Sequence, residues 1–182
     1  MSKQFDRLSL SHRTFIAAQR LFFVATAAPS GRVNTSPKGA DSLRVLGPNQ
    51  IIWRNSTGSG NETAGHLLQD ARMTLMWCSF DEQPLILRCY GTARALHLDA
   101  PGWQAANAAF PADIAARQLF EVTIDLVQTS CGYGVPRMGY EAERPDAGVW
   151  SAEKGPDGVR AYWGEKNRTT LDGFATGIEA NL

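Results

Sequence analysis

Short apolar runs, broken every few positions by Gly, Pro, Asn or Asp, dominate the first two thirds of the chain. "LFFVATA" reads as a buried strand and "APSG" as a turn; "RVNTS" reads as a second short strand that "PKG" stops. "DSLRVLG", a turn at "GPNQ" and "QIIWRN" repeat the pattern, with Val45, Ile51 and Trp53 supplying the β-branched and aromatic side chains that suit a pleated surface. Ahead of these hairpins, Ser11 can cap a short helix through "HRTFIAAQR", whose apolar face is Phe15 and Ile16. Beyond them, "RMTLMWCSF" and the long "PLILRCYGTARALHL" form another strand pair, in which Gly91 marks a bulge or a close backbone approach. "PGWQAANAAF" is a short helix with Pro101 near its first turn, and "LFEVTIDLVQTS" is the last strong strand. Six or seven strands joined mostly by tight turns predict a mainly β fold, a closed or nearly closed antiparallel barrel with a few short helices.

One connection departs from this texture. "NSTGSGNETAGHLL", residues 55–68, runs from the fourth of these strands through small polar residues into helical spacing that lasts to about Gln69. Ser59 and Glu62 stand in the S-x-x-E relation of a capping box, which would start the helix at Gly60. From Cys131 onward the chain is rich in Gly, Pro and aromatic residues with little periodicity. That tail is expected to wrap over the barrel or over a neighbouring subunit, since such termini are ordered only when docked. The division expected is a single domain over 1–182, with a core of about 12–136 and a wrapping segment at 137–182.

Composition narrows the function classes. The 182 residues suffice for a real core, and 18 Lys plus Arg balance 18 Asp plus Glu, so no global field draws in nucleic acid or an anionic membrane. Three cysteines, Cys78, Cys89 and Cys131, lack CxxC spacing and read as reduced core thiols, and His12, His66 and His97 form no metal-ligand pair. The amino-terminal residues carry charge where a signal peptide needs an apolar run, which places the protein in the cytoplasm as an expectation.

Chemistry concentrates in the polar connection. Ser56, Thr57, Ser59, Asn61 and Thr63 offer hydroxyl and amide groups, and Gly58 and Gly60 let backbone amides approach a ligand, as a phosphate site requires. A plain capped turn accounts for the same composition. In "NTSPKG", Ser36 and Lys38 flank a proline; Lys38 can neutralise an anion, or the segment is a solvated hairpin tip. Trp53, Arg54 and Asn55 enter the loop on alternating faces, so one of them faces whatever the loop binds. Trp77 and Arg88 raise the same question on later strands, against a default of core tryptophan and surface arginine. Walker, Rossmann, G-x-S-x-G and H-E-x-x-H patterns are absent, so an enzyme of this sequence would rely on a bound cofactor.

Together "FFVATAAPSGRVNTSPKGADSLRVLGPNQIIWRN", "GSGNETAGHL", "MTLMWCSF" and "LRCYGTARAL" resemble the pyridoxamine 5′-phosphate oxidase-like family of FMN-binding split barrels, over about residues 12–136. "TSCGYGVP" looks like the closing motif of one branch of that family. The resemblance implies an antiparallel Greek-key split barrel, a homodimer with FMN at the subunit interface, and flavin-mediated hydride or electron transfer to or from a small molecule. A non-catalytic flavin or haem carrier, sensor or scavenger is the alternative on the same fold. It implies cofactor contacts from Ser36, Lys38, Trp53, Arg54, Asn55, Ser59, Asn61, Glu62, Thr63, Trp77 and Arg88. Ser59 matches the serine that touches the phosphate, whereas Asn61 stands where the oxidases carry a phosphate-binding lysine. The oxidase's C-terminal Arg and His substrate motif is not recognisable, which points to a different substrate.

Overall fold

The computed structural model describes residues 2–39 and 41–182. Its extended segments are β1 (Lys3–Phe5), β2 (Phe22–Thr26), β3 (Asn34–Lys38), β4 (Leu43–Gly47), β5 (Gln50–Ser56), β6 (Arg72–Cys78), β7 (Ile86–Leu96) and β8 (Ala116–Ser130). All pair antiparallel in one sheet of order β3-β2-β6-β7-β8-β5-β4, and β1 adds to β8. The long β8 is the spine: β7 runs along one edge, while β5 takes Ala116–Thr123 and β1 takes Val127–Thr129 on the other. Among the described residues no ladder joins β3 to β4, so the barrel is split rather than closed.

Side chains on the enclosed face make the core, with Phe22, Trp53, Leu75, Trp77, Leu87 and Phe120 nearly inaccessible to solvent. Trp53 stacks on Phe120 with centroids 4.5 Å apart, and Phe22 on Trp77 at 5.9 Å, so burial is reinforced by ring geometry. Gly91 serves both expected purposes. The β7–β8 ladder shifts register between Tyr90 and Gly91, and a Cβ there would lie 1.9 Å from the Thr123 carbonyl oxygen.

Several boundaries differ from the sequence expectation, each for a local reason. Helix α1 (Leu10–Ala18) is capped by Ser9 rather than Ser11: Ser9 Oγ accepts from His12 N, and His12 Nδ1 accepts from Ser9 N, closing a capping box through histidine. β3 continues through Pro37 to Lys38 because it is an edge strand, where a missing amide removes no ladder bond. β8 begins at Ala116, three residues earlier than its apolar run suggested, since Arg117 and Gln118 are buried with it. The tail contains a helix that its composition hid. Helix α4 (Asp146–Lys166) bends at Gly155, whose φ of 65° and following Pro156 split it into two short halves. Val159 and Trp163 of α4 pack with Ala115 and with Ile178 of the last turn, Ile178–Asn181, so the tail docks on its own barrel. Two further short helices, α2 (Glu62–Leu67) and α3 (Trp103–Asn107), fill the connections after β5 and β7.

Candidate functional site

The polar connection after β5 wraps around buried side chains. Its residues turn their carbonyls backward. Arg117 donates to Gly58 O (Nη1, 3.4 Å) and Gly60 O (Nη2, 3.1 Å), and Asn167 Nδ2 donates to Gly58 O (3.0 Å) and Ser59 O (3.5 Å). In a trans peptide the next N–H points opposite to its carbonyl, so the amides of Ser59, Gly60 and Asn61 are turned away from that anchor. Those residues line a cavity of about 390 Å³ with Ser36, Lys38, Asn55, Glu62, Thr63 and Arg117. Room for a ligand comes from the glycines: a Cβ on Gly58 would meet nothing within 4 Å, and on Gly60 only the Glu62 side chain.

Lys38 and Arg117 make this cavity electropositive. Lys38 Nζ donates to Asn55 Oδ1 (3.1 Å) and lies 5.5 Å from the Trp53 ring centroid. Arg117, 2% exposed, donates to Asn167 Oδ1 (2.6 Å) and to the loop carbonyls, all neutral acceptors, and its Nε has no partner. No carboxylate among the described residues forms an ion pair with either. Burial and then the Arg117 charge push the Lys38 amine down to about 8, and burial pushes the Arg117 guanidinium down to about 10. Two under-neutralised cations held in a low dielectric are costly unless an anion joins them. Hydroxyls and amides around them complete the donor set: Asn34 Nδ2 meets Thr63 Oγ1 at 3.4 Å, and Ser36 Oγ donates to Asn34 Oδ1 at 3.1 Å.

The expected capping box is not formed. Asn61, not Ser59, is the N-cap of α2 and makes no capping hydrogen bond, because its Nδ2 is turned to Asn167 O (3.4 Å). Glu62 is occupied elsewhere, its two carboxylate oxygens each accepting from Leu171 N at 3.1 Å. The loop is therefore shaped by the tail and by Arg117 rather than by its own side chains.

Strand alternation sorts the remaining candidates. Asn55 shares the cradle face of β5 with Trp53, which lies beneath Lys38, while Arg54 and Ser56 face a second cavity on the other side of the loop. Trp77 is a core residue packed on Phe22, and Arg88 Nη1 reaches Ser130 Oγ (3.2 Å) on β8; neither lines the cradle. Of the thiols, burial pushes Cys89 up to about 12 and Cys78 up as well, whereas Cys131 is exposed and is not the core thiol expected. His66 is buried with Nδ1 3.1 Å from Thr26 Oγ1. Arg117 and Asn167 escaped the sequence reading. Arg117 precedes the apolar run of β8, and Asn167 lies in the aperiodic tail; the sole signal was a basic residue abutting a strong strand.

The sequence pattern of the family described as pyridoxamine 5′-phosphate oxidase matches residues 9–131. A curated relative, the pyridoxamine 5′-phosphate oxidase family protein ustO of Aspergillus flavus, is 38% identical over 139 residues, covering 74% of this chain and 56% of the relative. The chain thus spans little more than half the length of that relative. Among solved structures, a candidate pyridoxamine 5′-phosphate oxidase from Lactobacillus delbrueckii aligns with a TM-score of 0.55 at 16% identity, over 68% of this chain and 94% of the other. A Clostridium acetobutylicum protein related to general stress protein 26, of the pyridoxinephosphate oxidase family, aligns with a TM-score of 0.52 at 13% identity, over 67% and 87%. At these identities the structures speak to the fold, which is the split barrel.

Proposed function

The chain belongs to the pyridoxamine 5′-phosphate oxidase family, and from that premise we infer that its cradle holds the phosphate of FMN, in an oxidoreductase that works as a homodimer on a small molecule. The observation that carries this reading is the pair Lys38, half-buried, and Arg117, fully buried, neither of them ion-paired among the described residues, facing a glycine-lined cavity with hydroxyls and free amides. A phosphate dianion is the kind of group such a cavity fits: it neutralises both charges and accepts from several donors at once. Ser59, Thr63 and the amides of Gly60 and Asn61 would hold its oxygens, with Lys38 and Arg117 balancing its charge. That assignment answers the loss of the loop lysine at Asn61, since the charge is supplied from β3 and β8 instead.

FMN, when bound, supplies reversible hydride chemistry. The protein's own work is then to anchor and orient it, and to keep water and competing anions away. Glu62, the one carboxylate at the cradle wall among the described residues, is held by Leu171 N, so the site offers no ready general base. Hydride transfer depends on positioning more than on such a base. The same feature equally suits a non-catalytic flavin carrier, which is the second reading.

Adding FMN to the purified protein should raise its melting temperature saturably, and a nicotinamide donor should then reduce the bound flavin, with reoxidation by an acceptor over many cycles. Stabilisation without turnover favours the carrier. A protein that is colourless as isolated and unchanged by added FMN contradicts both.

A further inference from the structure

Lys38 carries chemistry that anchoring a phosphate does not use. Of the chain's four lysines, Lys3, Lys154 and Lys166 are exposed, whereas Lys38 is half-buried at the cradle wall. One hydrogen bond, from Nζ to Asn55 Oδ1 (3.1 Å), holds its amine there, 5.5 Å from the Trp53 ring centroid. Burial and then the Arg117 charge push that amine down to about 8. At pH 7.5 roughly a quarter of it is therefore the free base, against about one part in a thousand for an ordinary lysine. A desolvated lysine beside a second cation is the setting in which an amine attacks carbonyl carbon at neutral pH.

The rest of the wall adds a selection. Ser59, Thr63, Arg117 and the loop amides suit a phosphate, and Lys38 shares the cavity of about 390 Å³ with all of them. A small molecule with a phosphate at one end and an aldehyde at the other meets the anion donors and the nucleophile together. Docking through the phosphate turns the attack of the amine into an effectively intramolecular step. A docked phosphate pulls the amine back up, and Arg117 limits that pull by sharing the charge. The product suits the site as well, because a protonated imine keeps the cation that balances the phosphate and faces the Trp53 ring.

We propose that Lys38 is a covalent capture site for small phosphorylated aldehydes, its amine forming an imine with a carbonyl whose phosphate the cradle holds. The Nζ lone pair forms the bond to carbonyl carbon, and the C=O π pair moves to oxygen. The resulting carbinolamine loses that oxygen as water, with both protons from the amine, as C=N forms. One aldehyde and one amine give one imine and one water, with nothing oxidised or reduced. The inference rests on the phosphate part of the reading above and not on the flavin; FMN and a phosphorylated aldehyde exclude each other from the cradle.

Glyceraldehyde 3-phosphate is the probe, and glyceraldehyde, which lacks the phosphate, is its control. Each is added to the purified full chain with cyanoborohydride, whose hydride reduces the protonated imine to a stable secondary amine, and peptide mass spectrometry locates the adduct. Lys38 should be modified by glyceraldehyde 3-phosphate at least about tenfold faster than by glyceraldehyde, and at least about tenfold faster than Lys3, Lys154 or Lys166. Gly60→Ala, whose methyl intrudes on the cradle away from the amine, should remove most of the phosphate advantage while leaving the glyceraldehyde rate unchanged. Equal rates with the two aldehydes, or Lys38 modified no faster than the exposed lysines, overturns the proposal. FMN binding is read separately by its absorbance and by protection of Lys38. Bound FMN in a protein whose flavin-free form shows no preferential Lys38 adduct defeats this inference and spares the flavin reading. A phosphate-dependent Lys38 adduct that FMN does not suppress does the reverse.

Discussion

Lys38 is the residue on which the chemistry of the cradle turns. Its amine, pushed down from 10.5 to about 8 by burial and by Arg117, is mostly protonated at neutral pH and loses its charge within the accessible range. The sign follows directly. A phosphate, already a dianion above about pH 7, binds the protonated amine, so affinity for FMN is highest below the depressed value and falls as pH rises through it. Isothermal titrations should therefore show the dissociation constant rising by up to about tenfold per unit above about pH 8, until the bound-state value is passed. Lys38→Met should weaken FMN by roughly tenfold to a hundredfold at neutral pH and flatten that dependence. Gly60 permits a cleaner experiment. Its φ is not in the left-handed region and a Cβ would meet only the movable Glu62 side chain, so Gly60→Ala should change stability by no more than about 0.5 kcal/mol. The same methyl intrudes on the cavity, so FMN affinity should fall even as the denaturation midpoint holds. Lys38 and Ser59 were visible in the sequence because loop chemistry is local. Arg117 was not, because nothing local tells a buried arginine from a solvated one.

At the scale of elements, the cradle is a loop from β5 held in shape by the tail. Asn167, fully buried at the end of α4, donates to Gly58 O and Ser59 O, accepts from Arg117 and Asn61, and receives Thr176 Oγ1 on its carbonyl. Trp163 Nε1 donates to Thr57 Oγ1 (2.7 Å), and Gly65 of α2 leaves room for Thr170, whose Cγ2 would lie 2.3 Å from a Cβ there. Asn167→Ala removes the clamp without touching the cavity. It should cost about 1–3 kcal/mol in stability, as lost buried hydrogen bonds do, and should weaken FMN more than it weakens a flavin without phosphate, as paired titrations would show. Most strands were legible from apolar runs and turn residues, which report a short-range code. The helix in the tail was not, because Gly155 and Pro156 cut its periodicity into pieces too short to register. The supposed capping box failed for a related reason: S-x-x-E spacing cannot reveal that Leu171, 109 residues away, captures the glutamate.

For the whole molecule, balanced charge does not announce the electropositive concavity that the split sheet and its loops form around Lys38 and Arg117. The family match ends at residue 131, yet the segments beyond it hold the cradle loop by its carbonyls and wall the second cavity, so barrel and tail together shape the loop. Barrel topology could be anticipated because its order and spacing resemble a known family; the tail's docking could not, since it depends on long-range hydrogen bonds to loop carbonyls. The most direct measurement compares the affinity of the purified protein for FMN with that for riboflavin, which lacks the phosphate. Two cations and several donors should favour FMN by at least about a hundredfold, some 3 kcal/mol or more. Equal affinity for the two flavins, or binding of neither, would contradict a phosphate cradle built on Lys38 and Arg117.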